Sequence, residues 1–82
     1  MFGVNKKMKL AKIIVPEKYL AHKPKPYKME RARKFYQKYK ILKERIVVDR
    51  CTNELIDGYT SYLVAHENCL NKVEIIKANK EG

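Results

Sequence analysis

The 82-residue sequence has only two cysteines and two histidines, the residues on which small disulfide-rich or zinc-binding domains depend. Its two cysteines, Cys51 and Cys69, are too few and too far apart for a disulfide framework or a zinc cluster. Adding His22 and His66 gives no metal-ligand spacing, so we predict no metal and no cofactor. The apolar run LAKIIV is short and is interrupted by Lys12. We therefore expect neither a secretion signal nor a membrane span, and a reduced cytoplasmic setting.

Acidic residues are scarce in the first half of the chain. Residues 1–45 hold 15 basic and 3 acidic residues, whereas residues 46–82 hold 4 basic and 6 acidic residues. The net charge of +10 therefore belongs to the first half and indicates a polyanionic partner. Nucleic acid is the commonest such partner, and an acidic protein or anionic lipid is an alternative. A basic composition with no role in binding nucleic acid is the simpler alternative.

The length fits one domain with a single modest core, which argues against a large catalytic apparatus. We expect a flexible basic N-terminus over residues 1–8, a single domain over residues 9–79 and a flexible C-terminus over residues 80–82. No internal repeat or low-complexity segment divides the chain.

Periodicity predicts a strand, a loop and a helix in the first half. The segment KLAKIIV alternates Leu10 with Lys12 and ends in three β-branched residues, which predicts a strand over residues 9–15. Three prolines predict an extended surface loop over residues 16–27, with Pro26 at the first helical turn. The following YKMERARKFYQKYKIL predicts an amphipathic helix. Its predicted buried stripe consists of Met29, Ala32, Tyr36 and Tyr39, widened by Phe35 and Leu42.

The second half predicts a hairpin, a helix and a last strand. The segments RIVVD and LID predict two paired strands, and VEIIKA predicts a final strand. Between them, GYTSYLVAHENCL predicts a helix whose free first-turn amides are capped by Asp57. The predicted inner face of that helix consists of Tyr59, Tyr62, Leu63, His66 and Leu70. The element order is therefore strand, helix, strand, strand, helix, strand.

These segments together resemble the ParB/sulfiredoxin-like superfamily. The resemblance rests on IVVD, LIDGY, YLVAHE and VEII, with IIVPEKYLAHKP similar to the first strand and loop of small ParB-like proteins. It implies an α+β domain of order β-α-β-β-α-β with a small mixed sheet, and a phosphate-handling corner between strand and helix. We expect a bacterial, phage or mobile-element protein.

The signature motif of that superfamily is degenerate here. Sulfiredoxins have G-C-H-R, with the Cys as redox nucleophile and the Arg on phosphate, and ParB proteins have G-E-R-R, used to bind and hydrolyse CTP. The matching residues here are Gly58, Tyr59, Thr60 and Ser61. Tyr59 replaces the sulfiredoxin Cys and the ParB Glu, and two hydroxyls replace the basic pair. Sulfiredoxin activity and strong nucleotide binding are therefore not expected.

The same four residues form a candidate anion seat. A helix N-terminus has free amides and the positive end of a dipole, and Gly58 permits close backbone approach. Thr60 and Ser61 would add hydroxyl donors. In the alternative interpretation, Gly58 simply makes the turn and the hydroxyls are ordinary first-turn residues.

The basic half supplies the candidate nucleic-acid contacts. The backbone-gripping residues are predicted to be Lys23, Lys25, Lys28, Arg31, Lys34 and Lys38. Tyr19 and Tyr27, in the proline-bearing loop, are the better candidates for stacking on bases, and Tyr36 and Tyr39 the better candidates for core residues.

Our leading hypothesis is a small non-enzymatic ParB-like domain that binds nucleic acid. One alternative is a simplified enzyme of the superfamily, either an NTP hydrolase or a metal-dependent nuclease, that uses Asp49 and Asp57 with the hydroxyls of Thr60 and Ser61. The other is a phage or mobile-element module that binds a protein. A cap or turn role is the simpler interpretation of both aspartates.

Overall fold

Four short strands and three α-helices make up the part of the chain that the structure describes. The computed structural model describes residues 5–79. Residues 1–4 and 80–82, which belong to the two predicted flexible ends, lie outside the described residues. The strands are β1 Asn5–Lys9, β2 Ile46–Asp49, β3 Leu55–Asp57 and β4 Lys72–Ala78. A 3-10 turn spans Leu10–Lys12, and the helices are α1 Glu17–Ala21, α2 Pro26–Tyr39 and α3 Tyr59–Glu67.

The sheet is mixed and has the strand order β1-β4-β2-β3. β2 and β3 form the predicted antiparallel hairpin, and β1 pairs antiparallel with β4. β2 and β4 run parallel, with Ile46 opposite Ile75. A parallel pair needs a crossover, which β3 and α3 supply. The predicted α+β class and order β-α-β-β-α-β are therefore confirmed, with the short α1 added to them.

The core lies between the sheet and the helices. Ile46, Val48, Leu55 and Ile75 line the inner side of the sheet and are almost fully buried. A second cluster of buried side chains, Met29, Ala32 and Val64, joins α2 to α3. Burial of such apolar side chains contributes about 1.5–3 kcal/mol each, so the central strands and this helix pair carry most of the fold.

The first strand lies earlier in the chain than the sequence predicts. The strand expected over residues 9–15 is wrong, because β1 covers Asn5–Lys9 and the chain then turns through Leu10–Lys12. Residues 5–8, expected to be part of a flexible start, are thus held in the sheet. Only Ile14 of the β-branched run forms a bridge, to Glu54. Pairing with β4 outweighs the low β-propensity of NKKMK, which is a tertiary effect.

The predicted extended loop over residues 16–27 is also partly wrong, since α1 occupies Glu17–Ala21 within it. The proline expectation is confirmed, because Pro26 opens α2 at the first turn. Tyr39 was predicted in the buried stripe of α2 but is 51% exposed. The helix ends at Tyr39, and Lys40 takes the left-handed conformation (φ 60°), so the helical stripe does not continue beyond this point.

α3 buries a different face from the one predicted. Its buried residues are Tyr59, Ser61, Val64 and Ala65, whereas Tyr62 and Leu63 are half-buried and His66 is exposed. α3 contacts the sheet on one side and α2 on the other. Two adjacent stripes of its surface are therefore buried, one by each neighbour. A single amphipathic stripe read from the sequence could not locate them.

Candidate functional site

The strand-to-helix corner is built around Gly58. Its φ is 87°, and a Cβ at this position would lie 2.2 Å from the carbonyl oxygen of Arg45 and 2.9 Å from the Cα of Ile46. Only glycine fits there, both in conformation and in space. The corner is therefore held tightly against the start of β2.

Asp57 does not cap α3 as predicted. Its Oδ1 accepts a hydrogen bond from the N–H of Gly58 at 2.9 Å, and Gly58 itself occupies the N-cap position. No side chain among the described residues caps the first-turn amides of this helix. The left-handed Gly58 moves the aspartate one residue too far back for the capping geometry.

The four predicted anion-seat residues divide between the interior and the surface. Tyr59 is buried, with its ring centroid 5.1 Å from that of Tyr19. Ser61 is 1% exposed, and its Oγ accepts a hydrogen bond from the N–H of Glu44 at 2.9 Å. Its hydroxyl therefore holds the corner together and is not available to a ligand. Thr60 is half-buried and borders a cleft, as does the backbone of Gly58.

Two adjoining clefts lie at this corner. The first, the loop cleft, has a volume of about 380 Å³, and the second, the helix cleft, has a volume of about 280 Å³. The loop cleft is lined by Tyr19, His22, Lys23, Pro24, Lys25, Lys28, Glu44, Asp57, Gly58, Tyr59 and Thr60. The helix cleft is lined by Tyr27, Lys28, Arg31, Ala32, Lys43, Glu44 and Thr60.

The clefts adjoin, because Lys28, Glu44 and Thr60 line both of them. The structure thus brings together two features that the sequence predicted separately, the basic first half and the Gly58 corner. Five cations and two acids line the pair of clefts. The cations are Lys23, Lys25, Lys28, Arg31 and Lys43, and the acids are Glu44 and Asp57. The excess of positive charge makes this surface suited to an anion.

The predicted backbone-gripping residues do not all lie at the clefts. Lys34 forms an ion pair with Glu30 at 3.0 Å, and the Nζ of Lys38 lies 5.3 Å from the ring centroid of Tyr39. Neither lysine lines the loop cleft or the helix cleft. Lys43, by contrast, lines the helix cleft and was not selected from the sequence. Its place in the linker between α2 and β2 gave no periodic signal.

Tyr19 holds the start of the basic loop against the corner. Its hydroxyl donates a hydrogen bond to the carbonyl oxygen of Ile56, and its ring contacts Tyr59. Burial, and next the charge of Asp57, raise the pKa of this hydroxyl above its ordinary value. Base stacking by Tyr19 stays a prediction, since its half-buried ring also lines the loop cleft. The ring anchors α1, and with it the adjoining residues 22–25, to the corner.

The two aspartates of the nuclease hypothesis lie at opposite ends of the hairpin. β2 and β3 are antiparallel, and Asp57 lies opposite Val47. Asp49 is two residues beyond Val47 on β2, which is a displacement of roughly 7 Å along the strand. Asp49 is buried, and its Oδ1 accepts hydrogen bonds from the N–H groups of Cys51 at 2.7 Å and Thr52 at 3.2 Å. It stabilises the hairpin turn, which is the simpler role that the sequence suggested.

The remaining polar candidates are dispersed. Cys51 and Cys69 are exposed free thiols, and His66, predicted to face inward, is exposed. Within residues 5–79, no group of three His, Cys, Asp or Glu side chains is arranged to hold a metal ion. The same part of the chain contains no helix that is long and apolar enough to cross a membrane.

The comparisons with known proteins show the fold. No protein-family model matches the sequence, and no curated protein matches it. The C2221 crystal form of a pNOB8-like ParB N-domain is similar over 99% of this chain, with a TM-score of 0.79 and 18% identity. A second pNOB8-like ParB N-domain structure has a TM-score of 0.76 and 20% identity, also over 99% of this chain. Sulfiredoxin from Arabidopsis thaliana has a TM-score of 0.75 and 14% identity over 94% of it.

These similarities establish a ParB/sulfiredoxin-like fold for this chain, as the sequence segments predicted. The chain spans 31% and 29% of the two ParB N-domain chains and 86% of the sulfiredoxin chain. The agreement extends over both halves of the chain, including the basic half.

Proposed function

We propose that this protein is a small non-enzymatic ParB-like module that binds nucleic acid in the adjoining loop and helix clefts. The observation that carries the proposal is the convergence of five cations, from the loop before α2, from α2 itself and from the linker after it, on one corner. Cations from three successive segments that line one surface are typical of a polyanion site.

The phosphate backbone is the expected ligand of these cations. Lys and Arg that neutralise phosphates release condensed counterions, so the affinity falls as salt rises. Such contacts fix position and carry no sequence information by themselves. The binding we propose therefore depends on salt more than on base sequence, with Lys23, Lys25, Lys28 and Arg31 as its main contacts and Lys43 added by the structure.

Gly58 and Thr60 complete the floor of the loop cleft in this proposal. A phosphate placed between Lys28 and this floor would meet the hydroxyl of Thr60, whereas the N–H of Gly58 already donates to the Asp57 carboxylate. Ser61 is left out, because its hydroxyl is buried and already bonded to Glu44. The carboxylates of Asp57 and Glu44 repel a ligand of high negative charge, which favours a singly charged backbone phosphate over a triphosphate.

The similarity to ParB N-domains supports a ParB-like role but gives no partner, since it is a likeness of fold. Within the proposal the protein acts in the cytoplasm of a bacterium, or is encoded by a phage or mobile element. An acidic protein that occupies the same clefts is the competing partner.

The test measures fluorescence anisotropy of labelled single-stranded and duplex DNA and RNA with the full chain between 50 and 200 mM NaCl. We expect the affinity to fall roughly twenty- to several-hundredfold over that range for three to five phosphate contacts. The triple variant K25Q/K28Q/R31Q should reduce binding strongly. The double variant K9Q/K12Q, with exposed lysines that line neither cleft, is the control.

Two results would contradict the proposal. One is the absence of binding to every nucleic acid tested, in which case capture of a specific acidic protein would favour the competing partner. The other is binding that neither the salt concentration nor the triple variant alters.

A further inference from the structure

Tyr27 stands apart from the other tyrosines of the chain. It lies in the first turn of α2 and is 54% exposed. The ring of Tyr59 contacts the rings of both Tyr19 and Tyr62. The ring centroid of Tyr39 lies 4.6 Å from that of Phe35.

Tyr36 has the Nζ of Lys40 at 6.0 Å from its ring centroid. Tyr27 alone of the six has no ring, cation or hydrogen-bond partner among the described residues. Its ring is therefore an unoccupied aromatic surface.

The surroundings of Tyr27 are cationic. It lines the helix cleft with Lys28, Arg31 and Lys43, and the only acid in that cleft is Glu44. An exposed aromatic ring among cations is the combination with which proteins hold single strands, because every base has a face to stack and every nucleotide has a phosphate to neutralise. In a duplex the base faces are covered by their neighbours, so the ring would gain nothing.

We propose that the helix cleft binds single-stranded nucleic acid, with an unpaired base stacked on Tyr27 and the adjacent phosphates held by Lys28, Arg31 and Lys43. This inference rests on the proposed function and narrows its substrate class. The proposed function needs only the cations and is satisfied by duplex or single strand. The present inference needs the ring as well.

The chain offers a matched control for the ring. Tyr39 is on the same helix and is exposed to nearly the same extent, at 51%, but it contacts Phe35 and lines neither cleft. Y27A and Y39A each remove one exposed tyrosine ring without changing the charge. Y27F keeps the stacking face and removes only the hydroxyl.

The experiment compares the affinities of the full chain and these variants for a labelled 12-nucleotide single strand and for the corresponding duplex, in one salt concentration. Y27A should weaken single-strand binding roughly five- to a hundredfold, the range of one lost base-aromatic stack. It should leave duplex binding within about twofold, while Y27F and Y39A retain single-strand affinity. Thermal melting of each variant checks that the fold is intact.

Three outcomes would overturn the inference. Equal loss from Y27A and Y39A would mean that no base stacks specifically on Tyr27. Salt-dependent binding of duplex alone, or of both forms without an effect of Y27A, would leave the proposed function standing and remove the single-strand inference. Failure of all nucleic acids to bind would remove both.

Discussion

The N–H of Glu44 donates a hydrogen bond to Ser61 Oγ at 2.9 Å, with Ser61 1% exposed. This bond joins the linker between α2 and β2 to the first turn of α3. Glu44 and its neighbour Lys43 line the helix cleft, so the bond also holds one wall of that cleft. A residue that looked from the sequence like a ligand for an anion instead supports the wall beside it.

Replacement of Ser61 by alanine should lower the free energy of unfolding by about 1–2 kcal/mol, because the amide of Glu44 loses its partner in a partly buried place. Urea denaturation measures the change. T60A is the control, since Thr60 is half-buried and makes no hydrogen bond through its side chain among the described residues, and it should have little effect on stability. Equal losses for both variants would contradict this role.

Replacement of Gly58 by alanine should destabilise the fold by about 2–4 kcal/mol. The left-handed φ of 87° disfavours any side chain, and the new Cβ would lie 2.2 Å from the carbonyl oxygen of Arg45. Cys69 provides the opposite case at φ 56°, where the N–H of Leu70 donates to the carbonyl oxygen of Ala65 beyond the end of α3. C69G should therefore stabilise by about 0.5–1 kcal/mol.

Both changes are read from the same urea titrations. If G58A does not lower the free energy of unfolding, the corner can move away from β2. If C69G lowers it strongly, the Cys69 side chain stabilises the fold by more than its left-handed backbone destabilises it.

The ion pair between Arg33 and Glu67 should make stability depend on pH. Arg33 joins α2 to α3 by two hydrogen bonds to the Glu67 carboxylate, at 2.9 and 2.7 Å, and the bond to the guanidinium holds the pKa of Glu67 below its ordinary value. A carboxyl whose pKa is lowered by folding stabilises above its unfolded-state pKa and loses that contribution as pH falls through the folded value.

The wild-type melting temperature should therefore exceed that of E67Q at pH 7 by a small margin, because both side chains are solvent-exposed. The difference should shrink as pH falls below the unfolded Glu value of about 4.3, and it should be lost once pH has passed through the lowered folded-state pKa of Glu67. R33Q and R33Q/E67Q complete a double-mutant cycle, and a difference that stayed constant across pH would rule out the ion pair as its cause.

The lysines at the clefts should matter more than those on the outer face of α2. K25Q/K28Q and K34Q/K38Q change the net charge equally, yet only the first pair lines the clefts. We expect the first to lower nucleic-acid affinity roughly tenfold or more at 100 mM salt and the second about threefold or less, through its effect on the general field. Equal losses would indicate a diffuse basic surface without a localised site.

The Tyr19 hydroxyl should contribute measurably to stability. Y19F leaves the carbonyl oxygen of Ile56 without its donor in a partly buried place, so the free energy of unfolding should fall by about 1 kcal/mol. Y27F is the control, because the Tyr27 hydroxyl has no hydrogen-bond partner among the described residues. If Y19F unfolds at the same urea concentration as the wild type, the anchoring role of this hydroxyl is wrong.

The hairpin and the last helix and strand could be predicted from the sequence because their signals are local. β-branched runs, the glycine at the turn and the helical spacing after it each act within a few residues of chain. The same local signals failed at residues 9–15, where the favourable β-branched run makes one bridge and the lysine-rich segment before it pairs with β4. Strand pairing across the chain decided that case.

The chemistry at the corner divides in the same way. The sequence by itself determined the fold class, the basic first half, and the absence of any thiol, acid or basic side chain at Tyr59, Thr60 and Ser61. Only the tertiary structure decided that Ser61 faces inward, that Tyr19 is an anchor and that Lys43 joins Lys28 and Arg31 in one cleft. The reason is physical: composition sets the charge of a chain, but the direction of a side chain follows from which surfaces its element must bury.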